Sequence, residues 1–162
     1  MLNEKVKELL NIQINKELYS AYKYLDFSRY MQELGLAGFA NWYAVQAKEE
    51  VDHAMKFFNY LEQENALINL EMIDKPDTAE GSLLDILREG LEHEKYVTAL
   101  IHNIYDVAHS VKDYRTMKFL DWFITEQQEE EVNAIELITK YQLLDNCASG
   151  LYLLDEELGK RS

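Results

Sequence analysis

Four apolar seams with alternating steps of three and four residues run through the sequence, and each is broken near its middle by a glutamate. The first reads Val6, Leu10, Gln13, Glu17, Ser20, Tyr24, Phe27, Met31, Leu34. The second reads Leu36, Ala40, Tyr43, Ala47, Glu50, Ala54, Phe57, Leu61. The third is Leu83, Leu87, Gly90, Glu94, Val97, Ile101, Ile104, Ala108, Val111, and the fourth is Leu120, Phe123, Gln127, Glu130, Ala134, Leu137, Tyr141, Leu144. This spacing keeps residues on the inward face of a helix in a bundle. An unpaired carboxylate on a buried face costs on the order of several kcal/mol. A whole domain has only about 5–15 kcal/mol of net stability. Four such groups at one depth need a strong positive partner, and no Lys or Arg stands beside them on the seams. One or two bound cations meet the need most economically.

The rest of the chain suits long helices. With 162 residues, one proline (Pro76) and six glycines, it reads as one all-α domain over residues 1–162. Helices are expected over about 4–33, 39–65, 82–109 and 113–143, with Ser82 and Asp113 as N-terminal caps. Gly35 and Gly38 mark a short first turn, so the first two helices are antiparallel neighbours. The polar segment from Asn65 to Gly81 is long enough to return along the whole bundle as a single crossover. A fifth, shorter helix is expected over about 146–159, carrying Leu151, Leu154 and Leu158 on one side.

The formal net charge is −14, which repels nucleic acid and draws cations toward any acidic cleft. No apolar run is long enough for a transmembrane helix, so no membrane partner is expected. The single cysteine, Cys147, excludes an intrachain disulfide and leaves a reducing cytoplasm as the default compartment.

Glu50 and His53 lie three residues apart, hence on one helical face, in a Glu-x-x-His unit. Alone the unit is weak, because a lone histidine is usually structural. With Glu17, Glu94 and Glu130 on the other seams it becomes specific. Glu50 would bridge two ions, His53 would bind one, and Glu17 and Glu94 would be the outer carboxylates. Glu130 would complete the second ion's shell. Four carboxylates balance two divalent ions. Oxygen donors with one imidazole suit iron, manganese or magnesium better than thiolate-seeking metals.

These residues, with Tyr24, Glu49 and the run Glu126-Gln127-Gln128-Glu129-Glu130, make the chain similar over nearly its full length to non-haem bacterial ferritins. The resemblance implies a ferritin-like up-down four-helix bundle with one long crossover and a short fifth C-terminal helix. It implies iron storage: a ferroxidase that oxidises Fe(II) with O2 or H2O2 at a di-iron centre and deposits ferric mineral inside a hollow shell of 24 subunits. It assigns Glu17, Tyr24, Glu50, His53, Glu94, Gln127 and Glu130 to that centre. Tyr24 would hydrogen-bond a ligand carboxylate or donate an electron. Helix geometry adds a third ion position at Glu49, Glu126, Glu129 and Glu130, which the resemblance supports.

Departures narrow the type. Haem-carrying relatives place a methionine where this chain has Val51, and a Glu and a His where it has Gln127 and Glu130; no haem is therefore expected. The acidic pore positions of animal ferritins are Met117 and Leu120 here. Asp113 or Asp121 could line the iron route instead, or iron could pass through the bundle. The rival function is a rubrerythrin-like di-iron peroxidase without a mineral core, whose usual cysteine-rich electron-transfer module one cysteine cannot build.

Overall fold

A computed structural model describes all 162 residues. It is all-helical: α1 Glu4–Glu33, α2 Ala37–Gln63, α3 Leu83–Ser110, α4 Tyr114–Leu143 and α5 Ala148–Leu158. The α1 helix packs mainly on α2, and α3 on α4. The segment between α2 and α3 lies along α1. Asn11 holds Leu67 O and the Asn69 amide, Asn15 donates to Met72 O, Asp26 accepts from the Ala79 amide, and Tyr30 donates to Gly81 O. The crossover thus runs the length of α1 between Asn11 and Tyr30, about 28 Å at 1.5 Å per residue. It returns the chain so that α3 starts beside the end of α1.

Local chemistry accounts for the helix ends. Ser82 and Asp85 form a reciprocal capping box, and Asp113 accepts from the Thr116 amide at 3.1 Å. Gly35 closes α1 with φ 76°, its amide and that of Leu36 bonding back to Gln32 O and Met31 O. Gly38 has a different task from the turn role expected of it. It lies in the first turn of α2, where a Cβ would sit 1.6 Å from the backbone oxygen of Asp155. The missing side chain lets α5 dock there. Leu36 gives α2 no side-chain cap, and Asp155 of α5 supplies one by accepting from the Phe39 amide at 2.9 Å. In return, Asn41 donates to Arg161 O at 2.9 Å and to Leu158 O at 3.3 Å, satisfying carbonyls at the end of α5.

The seams face inward, apart from their tips. Leu34 and Val111 are exposed because each lies just beyond the last residue of its helix. The buried apolar residues form two separate clusters. One surrounds Leu10, Phe57, Ile101 and Phe123; the other surrounds Phe27, Phe39, Ile86 and Leu137. Between them lies a layer of buried polar side chains: Gln13, Glu17, Gln46, Glu50, His53, Glu94, Gln127 and Glu130. No helix is long and apolar enough to cross a membrane.

Candidate metal centre

Each of the four long helices delivers one glutamate to this layer, because each seam passes the same depth at its midpoint. The ligand-capable atoms fall into three groups whose members lie within 4.8 Å of one another: Glu17, Glu50 and His53; Glu50, Glu94 and Glu130; and His53, Glu126 and Glu130. The first two groups share Glu50. His53 Nδ1 is 3.2 Å from Glu50 Oε2 and 3.9 Å from Glu17 Oε2. Glu17 Oε2 is buried with no hydrogen-bond partner. A buried carboxylate oxygen left bare is costly unless something else fills its lone pairs, so the donor set fits a bound cation.

Five other carboxylate oxygens of the four glutamates accept from neutral donors. Gln13 donates to Glu17 Oε1 at 2.8 Å. Gln46 donates to Glu130 Oε2 at 2.5 Å and to Glu50 Oε1 at 3.3 Å. Gln127 donates to Glu94 Oε2 at 3.2 Å, and the Tyr24 hydroxyl donates to Glu94 Oε1. Gln127 therefore presents its amide nitrogen to Glu94.

Without a cation the layer is electrostatically poor. Burial pushes the Glu17 carboxyl well above its ordinary range, and the nearby Glu50 pushes it further. Burial does the same to Glu50, reinforced by Glu94 and Glu130. Burial also raises Glu94, and lifts Glu130 to about 8 with help from Glu94. The Tyr24 phenol is raised by burial and by Glu94, so it remains a protonated donor.

The remaining expected residues fall differently. Glu126 approaches His53 Nε2 at 3.6 Å and joins the third group. Glu49 is not in that group: its Oε2 accepts from Arg161 Nη2 at 2.7 Å. Glu129 is exposed and belongs to none of the three groups. The outer side of His53 opens to a surface depression lined by Glu49, Asp52, Lys56, Trp122 and Glu126. Trp122 packs against the His53 ring at 5.5 Å under the Lys56 ammonium. His93 bonds Ser20 at 2.7 Å, away from the carboxylates, and burial lowers it to about 4, so it is neutral.

Sequence reading gave no role to Gln13, Gln46 or Arg161. A signal existed for the two glutamines. Each stands four residues before a seam glutamate, the spacing at which one helical side chain reaches the next. Nothing in the sequence around Arg161 marks it.

Fold and site together define a ferritin-like four-helix bundle whose buried carboxylate and histidine groups could hold metal ions, an arrangement of the kind found in di-iron bundles. The ferritin family, described as a ferritin-like domain, matches residues 7–144. The bacterial non-heme ferritin of Campylobacter jejuni is 37% identical over 156 residues, covering 96% of this chain and 93% of that one. A probable bacterial non-heme ferritin-like protein of Haemophilus influenzae is 36% identical, covering 100% of this chain and 98% of that one. Among solved structures, an open-pore ferritin from the hyperthermophilic archaeon Archaeoglobus fulgidus superposes with a TM-score of 0.98 at 39% identity, covering 100% of both chains. A closed form of that ferritin, engineered by site-directed mutagenesis, also scores 0.98 at 40% identity. This chain belongs to the ferritin family.

Proposed function

We propose that the protein stores iron, oxidising Fe(II) at the buried layer and depositing the ferric product inside a hollow shell of 24 copies. The observation that carries this reading is the pair of ligand groups sharing Glu50, with Glu17 Oε2 left bare beside it. Glu17, Glu50 and His53 would take one ion; Glu50, Glu94 and Glu130 would take the other. Two Fe(II) ions give up one electron each. With O2 as oxidant, the pair of electrons and two protons yield hydrogen peroxide. With peroxide as oxidant, they cleave the O–O bond and yield two waters. The carboxylates must shed their protons to bind iron, so binding releases protons into the layer. Tyr24 and Gln127 orient Glu94, while Gln46 orients Glu130 and Glu50. Oxidised iron would leave past His53 and Glu126 toward the surface depression, whose lining includes Glu49. The same reading takes the compartment to be the cytoplasm.

Stepwise aerobic Fe(II) loading of metal-stripped protein, followed by size-exclusion chromatography and iron analysis, tests the proposal. A large particle carrying many times the roughly two ions per chain of a paired site is the expected result. Saturation near two ions per chain would make the protein a di-iron enzyme of the rubrerythrin type.

A further inference from the structure

Arg161 follows α5, yet its guanidinium reaches the edge of the polar layer. Nη2 donates to Gln46 Oε1 at 2.9 Å and to Glu49 Oε2 at 2.7 Å, while Nη1 donates to Trp42 O at 3.1 Å. The guanidinium lies 4.3 Å over the Trp42 ring. Asn41 holds the Arg161 carbonyl, and Asp155 ties α5 to the first turn of α2. The side chain is thus positioned by several independent contacts and is only 20% exposed.

Two consequences follow. First, Arg161 offers only donors, so the Gln46 amide must turn its oxygen outward and its NH2 inward, where it meets Glu130 and Glu50. Second, Glu49 already has a cation, and that cation belongs to the chain. Resting on the iron-oxidation reading above, we propose that Arg161 is a positioning residue for the centre. It locks Gln46 as a donor to Glu130 and Glu50, and it holds the cation position at Glu49 until an iron ion leaving the pair displaces it.

Anaerobic Fe(II) titration calorimetry on wild type, Arg161→Ala and Arg161→Lys tests this, with a thermal melt confirming that each variant folds. Removing the competing cation should tighten the weakest, third iron about fivefold in Arg161→Ala, equivalent to about 1 kcal/mol for a partly exposed pair. Arg161→Lys keeps the charge and should return that affinity close to wild type. If Arg161→Ala fails to fold, Arg161→Gln, neutral but polar and longer than alanine, carries the comparison. Equal third-ion affinity in the neutral variant and wild type overturns the proposal, as does the absence of any third ion in both. Failure of wild type to bind even the first pair would overturn the iron-oxidation reading itself, a result separable from the others.

Discussion

The Gln46 amide donates to Glu130 Oε2 at 2.5 Å across 84 positions of sequence. This bond joins α2 to α4 inside the layer that separates the two apolar clusters. Gln46→Leu leaves Glu130 buried without that donor. Urea denaturation of the metal-free protein at pH 7 should show a loss of about 1–3 kcal/mol, the cost of an unsatisfied buried polar group. An unchanged midpoint would mean that Glu130 finds another partner.

Glu50 belongs to two of the three groups that could hold an ion, so Glu50→Ala should remove both of those positions together. Stopped-flow oxidation of Fe(II) should slow by more than about a hundredfold, beyond the roughly 10–100-fold typical of losing an outer partner of a metal site. The metal-free fold should survive, because a desolvated carboxylate repelled by Glu94 and Glu130 is gone. Fast oxidation with an intact particle would show that Glu50 does not bridge.

The metal-free fold should lose stability as pH rises. Glu130 moves from an ordinary value of 4.5 when unfolded to about 8 when folded. Between those values the folded chain keeps a proton that the unfolded chain has lost, so unfolding becomes easier with rising pH. Glu17 and Glu50 are shifted in the same direction. The urea midpoint of metal-free protein should therefore be lower at pH 8 than at pH 5.5, and Glu130→Gln should flatten the slope. Saturating Zn(II) should reverse the order, since ligands must be deprotonated to hold it. A midpoint of the metal-free protein that rises with pH over this range would contradict the placement of these carboxyls.

Tyr24 donates to Glu94 and stacks on Tyr43 at 5.8 Å. Tyr24→Phe keeps the stack and deletes the hydrogen bond. Zn(II) titration should show the ion nearest Glu94 weakened roughly 10–100-fold, as for other outer partners of ligands. Unchanged binding with an altered ratio of oxidant consumed to iron oxidised would instead make Tyr24 an electron donor.

Gly38→Ala places a methyl 1.6 Å from Asp155 O. Backbone cannot yield cheaply there, so α5 must move off the start of α2. The expected cost is about 1–3 kcal/mol or more, together with faster proteolysis within 146–160. An unaltered digestion pattern would show that α5 is not seated on Gly38.

The sequence alone determined the helices and the depth of the four glutamates. Alternating steps of three and four are a local property, and they carry Glu17, Glu50, Glu94 and Glu130 to one level whenever four such helices pair. The caps at Ser82 and Asp113 are equally local, closing within three residues. Which neutral groups hold those carboxylates, and where Glu49 points, was set by how the helices pack. Asp155 caps a helix that begins more than a hundred residues earlier, and Arg161 reaches Gln46 and Glu49 across a similar distance. No periodicity records such contacts. They arise because α5 folds back onto the start of α2, and a side chain's partner is then set by packing rather than by its sequence neighbours.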